Sequence, residues 1–282
     1  MFRHEYPRFG VLLLIARQLS LWMVGVIGYS VLVIFMVKWH EFHSQTWETA
    51  AGLVNGLILG LLMGFRNRAA YDRWWEGRKL WGQLINETRN FAWKVRGYLP
   101  VETIARCRIP EALSGFAEAL KKHLRGEVRL QEIPGFESDL ESPQHVPSHL
   151  AGHILNSLAG WQREQLIDGS TALILDVHAR SLLDVCGGCE RIRNTGITPS
   201  HKALLRLGIA LNILIGPWYI FSDLGLWGIP VFLLVCFFLL GIEMVDTVIE
   251  EPFGTEADDL ELDRFCKTIR QSVGAILGKS VS

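Results

Sequence analysis

The sequence predicts an all-α membrane protein with four transmembrane helices and a helical cytosolic region. Apolar residues make up 49% of the 282 residues, and the mean hydropathy is +0.22. Charged side chains are nearly absent from four stretches and dense between them, and no segment alternates apolar and polar residues as a half-buried strand does. The net charge of −1 offers no overall basic surface for a nucleic acid, and we expect none as a partner.

Two longer and two shorter apolar runs predict the membrane helices. A helix over the first span, residues 18–38, would be about 30 Å long, which matches the hydrocarbon core of a bilayer. The uncharged parts of the second and third runs are shorter than the roughly 20 residues of a typical span, so buried helices of a soluble protein are the alternative. Each short run lies next to a longer one across a short loop. This pairing favours two membrane hairpins.

Basic residues indicate the orientation of these hairpins. The loops at 40–48 and 222–228 contain no Lys or Arg, whereas both are frequent before the first run, after the second and before the third. The positive-inside rule therefore places both termini in the cytosol. The outer ends of the runs carry tryptophans, as an interfacial aromatic belt does: Trp39, Trp47 and Trp227.

The predicted organisation is a single domain over residues 1–282. Its spans are residues 18–38, 49–65, 203–222 and 224–243, and its cytosolic segments are 66–202 and 244–282. Within the cytosolic segments, helical spacing of apolar residues predicts helices at 67–98, 103–125, 148–165, 171–192 and 260–273. Pro110 is predicted to interrupt one of these helices, and the proline-containing stretch 131–147 is predicted to be a loop.

The second run carries two stripes at four-residue intervals. The small stripe consists of Gly52, Gly56, Gly60 and Gly64, and beside it runs a large apolar stripe of Leu53, Leu57, Leu61 and Phe65. Glycines let helices approach closely in lipid. One interpretation is a packing helix with a lipid-facing leucine ridge. The other is a helix that packs through its glycines and lines a pore with its large apolar side chains, which gate by dewetting.

Motifs of enzymes and cofactor sites are missing from the sequence. It contains no nucleophile elbow, Walker A loop, dinucleotide fingerprint or His-Glu-x-x-His motif, so we do not expect an enzyme. The nine histidines are scattered, and the five cysteines include one close pair, Cys186 and Cys189. A zinc site at this pair would need a second pair or nearby histidines.

Two other classes of membrane protein are alternatives to a channel. A transporter would need charged side chains inside the apolar runs, and the runs contain none. A membrane scaffold that conducts no ions stays an alternative.

Three segments resemble the bestrophin family. Residues 66–81 contain Arg73-Trp74-Trp75 below the second run, and residues 251–259 contain Glu251-Pro252-Phe253-Gly254 followed by acidic side chains after the fourth. Residues 189–195 resemble the bacterial branch of the family ahead of the third run. The three segments occur in the family's order at the predicted membrane boundaries, so the resemblance covers nearly the whole chain.

The resemblance implies a homopentamer in the bacterial inner membrane with one axial pore for small monovalent ions. Alignment on the Arg-Trp-Trp segment places the family's neck residues at Leu57, Leu61 and Phe65. The family's cytosolic aperture falls near Ser170, or at Leu173 or Ile174 if the alignment shifts. Similarity to the bacterial branch favours cation permeation, and an anion channel of the same fold is the alternative.

The acidic segment departs from the animal members of the family, in which an unbroken acidic run binds calcium. Here Thr255 and Ala257 interrupt the run, so a weak calcium site at Glu256, Asp258 and Asp259 is not favoured. We expect these carboxylates to lie at a helix N-terminus instead, and we expect no cofactor. The expected partners are other copies of the chain, the lipid bilayer and permeant inorganic ions.

Overall fold

The computed structural model describes residues 8–39 and 46–278, and these ranges contain helices but no strand. The all-α prediction is therefore confirmed. In chain order the helices are α1 (Arg8–Trp39), α2 (Thr46–Tyr98), α3 (Val101–Arg106), α4 (Ile109–Arg125), α5 (Val146–Arg163), α6 (Gly169–Asn194), α7 (Pro199–Leu224), α8 (Gly228–Ile249) and α9 (Leu262–Leu277). Single-turn 3₁₀ helices lie at Leu130–Glu132 and Gly225–Trp227.

The chain folds as two compact units. The first consists of Met1–Tyr71 with Ile197–Glu250, and the second of Asp72–Gly196 with Glu251–Ser282. The first unit therefore holds α1, the start of α2, α7 and α8. The remainder of α2 and the other helices belong to the second unit.

Three segments of the first unit are long and apolar enough to cross a membrane: Leu19–Val37, Pro199–Phe221 and Gly225–Ile249. The predicted span 49–65 is not among them, and several of its side chains lie outside the described residues. The predicted outer loop 40–48 also falls largely outside the described residues. The number of four spans and the orientation of the termini stay predictions.

α1, α7 and α8 pack together in the first unit through aliphatic and aromatic side chains. Val33 of α1 and Phe232 of α8 are fully covered, and Phe221 meets Phe232 edge to face with 6.0 Å between the ring centroids. A Cβ atom at Gly216 would come within 2.7 Å of the Phe232 ring, so glycine allows this close approach. The apolar residues that predict membrane spans thus also supply the contacts between the helices.

α2 contributes a separate apolar cluster to this unit. Leu59 and Met63, one helical turn apart, are buried together with Leu205 and Ile209 of α7. A Cβ atom at Gly208 would lie 3.2 Å from the Leu59 side chain. This face of α2 differs from the glycine stripe that the sequence predicted as the packing surface.

Charged side chains are buried where α2 and α8 continue beyond their apolar runs. Arg66 has no exposed surface, and its guanidinium lies 3.4 Å from Glu243 Oε1 and donates to Thr247 Oγ1 at 3.0 Å. Asn67 donates to Asp246 Oδ1 at 2.9 Å, and only 1% of Asp246 is exposed. Arg66 falls between the predicted helices 49–65 and 67–98, and Asp246 and Thr247 lie beyond the predicted span 224–243, so the sequence did not predict this buried network.

Two basic residues of α7 complete this charged network. Arg206 Nε lies 3.0 Å from Glu243 Oε1, and 61% of the Arg206 side chain is exposed. Lys202 Nζ lies 2.8 Å from the buried Glu250 carboxylate. Buried ions require such partners because an uncompensated charge in a low-dielectric interior costs several kcal/mol.

In the second unit, α4, α5, α6 and α9 surround a core in which Phe116 and Phe136 are fully covered. The predicted role of Pro110 is wrong. Pro110 lies in the first turn of α4, where backbone N–H groups have no partner within the helix, so the N–H that proline lacks is not missed. The break between α3 and α4 falls at residues 107 and 108.

Two predicted helix boundaries are also wrong. α2 is one helix where the sequence predicted separate helices at 49–65 and 67–98, since no proline interrupts it. α9 begins at Leu262, with Glu261 at its N-cap position, and not at residue 260.

Candidate functional site

The three predicted neck residues lie on one uncovered face of α2. Leu57, Leu61 and Phe65 are 75%, 60% and 59% exposed. Val54 and Ile58 are also more than half exposed and widen this face, which we call the apolar face of α2. Sequence analysis missed these two residues because it followed only the four-residue spacing. A pore lining needs a face that its own chain leaves open, and the described part of the chain leaves this face open.

The glycine stripe has a different environment at each end. A Cβ atom at Gly52 would lie 3.0 Å from the Tyr219 ring of α7, so this glycine does pack within the chain. At Gly56, Gly60 and Gly64, a Cβ atom would have no neighbour from another described helix within 4 Å. Within the described part of one protomer, no other helix packs against these three glycines, so their role in helix packing stays a prediction. Their surface is available to other copies of the chain.

The predicted aperture residues lie in the first two turns of α6. Asp168 caps this helix, because its Oδ1 accepts the Thr171 N–H at 2.8 Å. Ser170, Leu173 and Ile174 are exposed, with Leu173 at 71%. All three residues stay candidates.

The three family-like segments come together in the second unit. Arg73 donates to the carbonyl oxygens of Thr195 and of Ile192, the latter at 2.6 Å, and so satisfies carbonyls at the C-terminal end of α6. Arg191 Nη2 lies 2.5 Å from Glu76 Oε1. The segment that contains Arg-Trp-Trp therefore fixes the end of α6.

Trp74 and Gly77 of α2 contact the loop that follows Pro252. Trp74 Nε1 donates to the Asp258 carbonyl at 3.0 Å. A Cβ atom at Gly77 would lie 3.1 Å from the buried Phe253 ring, so α2 and this loop are in close contact. These interactions give the Trp-Trp and Pro-Phe-Gly segments a structural role in positioning one another.

The acidic residues of the loop fold it locally. Asp259 Oδ2 accepts the Glu256 N–H at 2.6 Å. A Cβ atom at Gly254 would lie 2.5 Å from the same oxygen, so a side chain there would displace the carboxylate. Burial raises the pKa of the Asp259 carboxyl above its usual range. The predicted position of these carboxylates in a helix N-terminus is wrong, since they precede α9 in an irregular loop.

These residues fit a calcium ion poorly. Calcium takes six to eight oxygen ligands, whereas Glu256 and Asp258 are both exposed and one Asp259 oxygen already binds a backbone N–H. Asp259 Oδ1 is buried without a hydrogen-bond partner among the described residues. A calcium site here would depend on ligands from outside this loop.

We accordingly expect the channel that the family resemblance implies to be insensitive to submicromolar calcium. Single-channel recording with calcium stepped from chelated to micromolar levels on the cytosolic face measures this. Open probability should stay constant for the parent and for Asp258→Asn combined with Asp259→Asn. Reversible closure of the parent on chelation, abolished in the double variant, would contradict the expectation.

A family model described as bacterial and fungal bestrophin protein matches residues 9–275. The chain belongs to the bestrophin family. A voltage-dependent anion channel-forming protein of Mesorhizobium japonicum is 32% identical to this bestrophin over 91% of the chain and 84% of the relative. A protein of the same description from a Synechocystis species is 35% identical over 78% of the chain and 75% of the relative.

The fold of this bestrophin is that of a solved bacterial homologue. The crystal structure of a bestrophin homologue from Klebsiella pneumoniae superposes with a TM-score of 0.84 at 25% identity, and covers 91% of this chain and 97% of the homologue. The family prediction is confirmed, and the protein is a membrane protein. The relatives' descriptions do not support the predicted preference for cations.

Proposed function

We propose that this bestrophin forms a homopentameric channel that conducts monovalent anions such as chloride across the bacterial inner membrane, with both termini in the cytosol. Its relatives are described as voltage-dependent anion channel-forming proteins. The observation that carries the proposal is the apolar face of α2, which the rest of the described chain leaves open. The descriptions of these relatives favour the anion alternative over the predicted preference for cations.

Five copies of α2 around one axis would turn this face into a constriction. Leu57, Leu61 and Phe65 lie on successive turns of α2, on one face of the helix. In a pentamer, each of these positions would supply a ring of five apolar side chains. Gly56, Gly60 and Gly64 lie beside them, uncovered by the other described helices, and would allow neighbouring copies to approach closely. A narrow apolar ring excludes water and so closes a pore without a plug.

Such a neck carries no charge, so the preference for anions must arise elsewhere along the pathway. Ser170, Leu173 and Ile174 at the start of α6 are the proposed cytosolic aperture. All three are exposed in the protomer, as an aperture shared among five copies requires. We propose no catalytic activity and no cofactor for the pore.

Two measurements test the proposal. Native mass spectrometry in mild detergent should give five subunits. In planar bilayers with a potassium chloride gradient, the reversal potential should lie near the chloride equilibrium potential. A monomer or dimer in every detergent would exclude the shared pore, and a reversal potential near that of potassium would restore the cation alternative.

A further inference from the structure

Two histidines and a glutamate converge in the second unit, far from the proposed pore neck in sequence. His123 Nε2 lies 2.8 Å from Glu190 Oε1, and His145 Nε2 lies 2.7 Å from the same oxygen. One ligand atom from each of the three residues lies within 4.8 Å of the others. The cluster joins the last turn of α4, the N-cap of α5 and α6.

Both histidines of the cluster are held by a second interaction. His145 Nδ1 accepts the Ser148 N–H at 3.0 Å, which leaves the proton of the neutral ring on Nε2. The His123 and His145 rings meet edge to face with centroids 4.6 Å apart, and the His123 carbonyl accepts from Arg193 at 2.5 Å. The three side chains are between 24% and 33% exposed, so an ion can reach them from solvent.

The donor atoms of the cluster suit a cation. Both imidazole Nε2 atoms lie at hydrogen-bond distance from the same Glu190 oxygen. Two imidazoles and one carboxylate are a donor set that zinc prefers, with the fourth position left to water.

We propose that His123, His145 and Glu190 form a zinc site that links α4, α5 and α6. With zinc about 2.0–2.2 Å from each ligand, tetrahedral geometry places the ligand atoms about 3.3 Å apart. The two short contacts to Glu190 therefore lengthen by roughly half an ångström when the ion replaces the shared protons. The Nε2 proton of each histidine is lost to solvent while its Nδ1 takes one up, so both rings stay neutral, and the exposed Ser148 N–H turns from His145 to water.

The cysteine pair next to Glu190 is not part of this site. Cys186 and Cys189 are buried at 2% and 0% exposure. Buried structural cysteines of this kind are unreactive, and solvent does not reach these thiols. Sequence analysis required histidines near this pair, and the fold does supply them. They point at Glu190 and not at the thiols.

A second histidine pair is the competing location. His149 and His153 of α5 have their Nε2 atoms 3.1 Å apart, and Glu141 Oε2 lies 3.2 Å from His149. The Glu141 side chain is 68% exposed, so this group is held less firmly than the first. The experiment separates the two locations by substituting each.

The test uses the purified full-length channel, stripped with a chelator and titrated with zinc chloride in a calorimeter. We expect one zinc ion per protomer, and at least about tenfold weaker binding in Glu190→Gln and in His123→Asn. Glutamine keeps a carbonyl oxygen that accepts from a histidine, so Glu190→Gln tests the site even if His123→Asn fails to fold. His201→Asn and the pair Cys186→Ser with Cys189→Ser are matched controls that should bind as the parent does.

Amide hydrogen exchange gives an independent measurement, because zinc should speed exchange in the peptide that contains Ser148. The proposal is overturned if the parent binds no stoichiometric zinc, or if both cluster variants bind as the parent does. Loss of binding in His149→Asn or in the cysteine variant, with the cluster variants intact, would overturn it as well.

Discussion

Simultaneous replacement of Leu57, Leu61 and Phe65 by alanine is expected to raise single-channel conductance severalfold. Shorter side chains widen an apolar constriction and lower the cost of keeping it wet, so ions should pass without the dewetting barrier. The three positions are exposed by 59% to 75% in the protomer, so their truncation leaves no cavity within the chain. Single-channel recording in planar bilayers measures the effect.

A matched control removes similar side chains from another helix. Leu234 and Phe238 of α8 are 57% and 56% exposed and one turn apart. Their joint replacement by alanine should leave conductance at the parent value, since we expect this surface to face lipid. If the α2 triple variant conducts like the parent, those side chains do not limit ion flow.

Replacement of Arg66 by methionine is expected to cause the largest loss of stability. It removes the one fully buried guanidinium of the described network, which pairs with Glu243 and donates to Thr247. Removal of one partner of a buried ion pair costs about 3 kcal/mol or more. For a protein of this size, the melting temperature should fall by roughly 10 °C, measured by light scattering or intrinsic fluorescence in detergent.

Arg206→Met is the control for this change. Arg206 contacts the same Glu243 oxygen as Arg66, but from an exposed position. Exposed ion pairs contribute about 1 kcal/mol or less, so the melting temperature should change little. Equal losses in the two variants would show that the burial of Arg66 does not matter and that the total charge around Glu243 does.

Local patterns in the sequence were sufficient to predict that the chain is helical and to single out the stripe of Leu57, Leu61 and Phe65 on α2. The runs between charged residues mark the apolar helices because a helix satisfies all of its own backbone groups in lipid. Arg66 marks the end of an apolar run in the sequence. Its pairing with Glu243, 177 positions away, depends on the tertiary fold and has no local signal.

The long-range clusters could not be predicted for the same reason. The histidines looked scattered because His123 and Glu190 are 67 positions apart and meet only through the packing of α4 against α6. The acidic loop before α9 was predicted to lie at a helix N-terminus, because acidic residues are favoured there. Its conformation depends on tertiary contacts with Trp74 and Gly77, which no local pattern reports.

The burial of the native thiols makes this chain suited to chemical labelling. Cys186, Cys189, Cys236 and Cys266 are all buried, and burial raises the pKa of the Cys266 thiol to about 12. Cys107 is half-buried and donates its S–H to the Ile104 carbonyl at 3.1 Å. Thiol reagents react with exposed thiolates, so a cysteine introduced by Leu57→Cys would react ahead of the native ones. Water-soluble reagents could then report, on the otherwise unmodified protein, when solvent reaches that position.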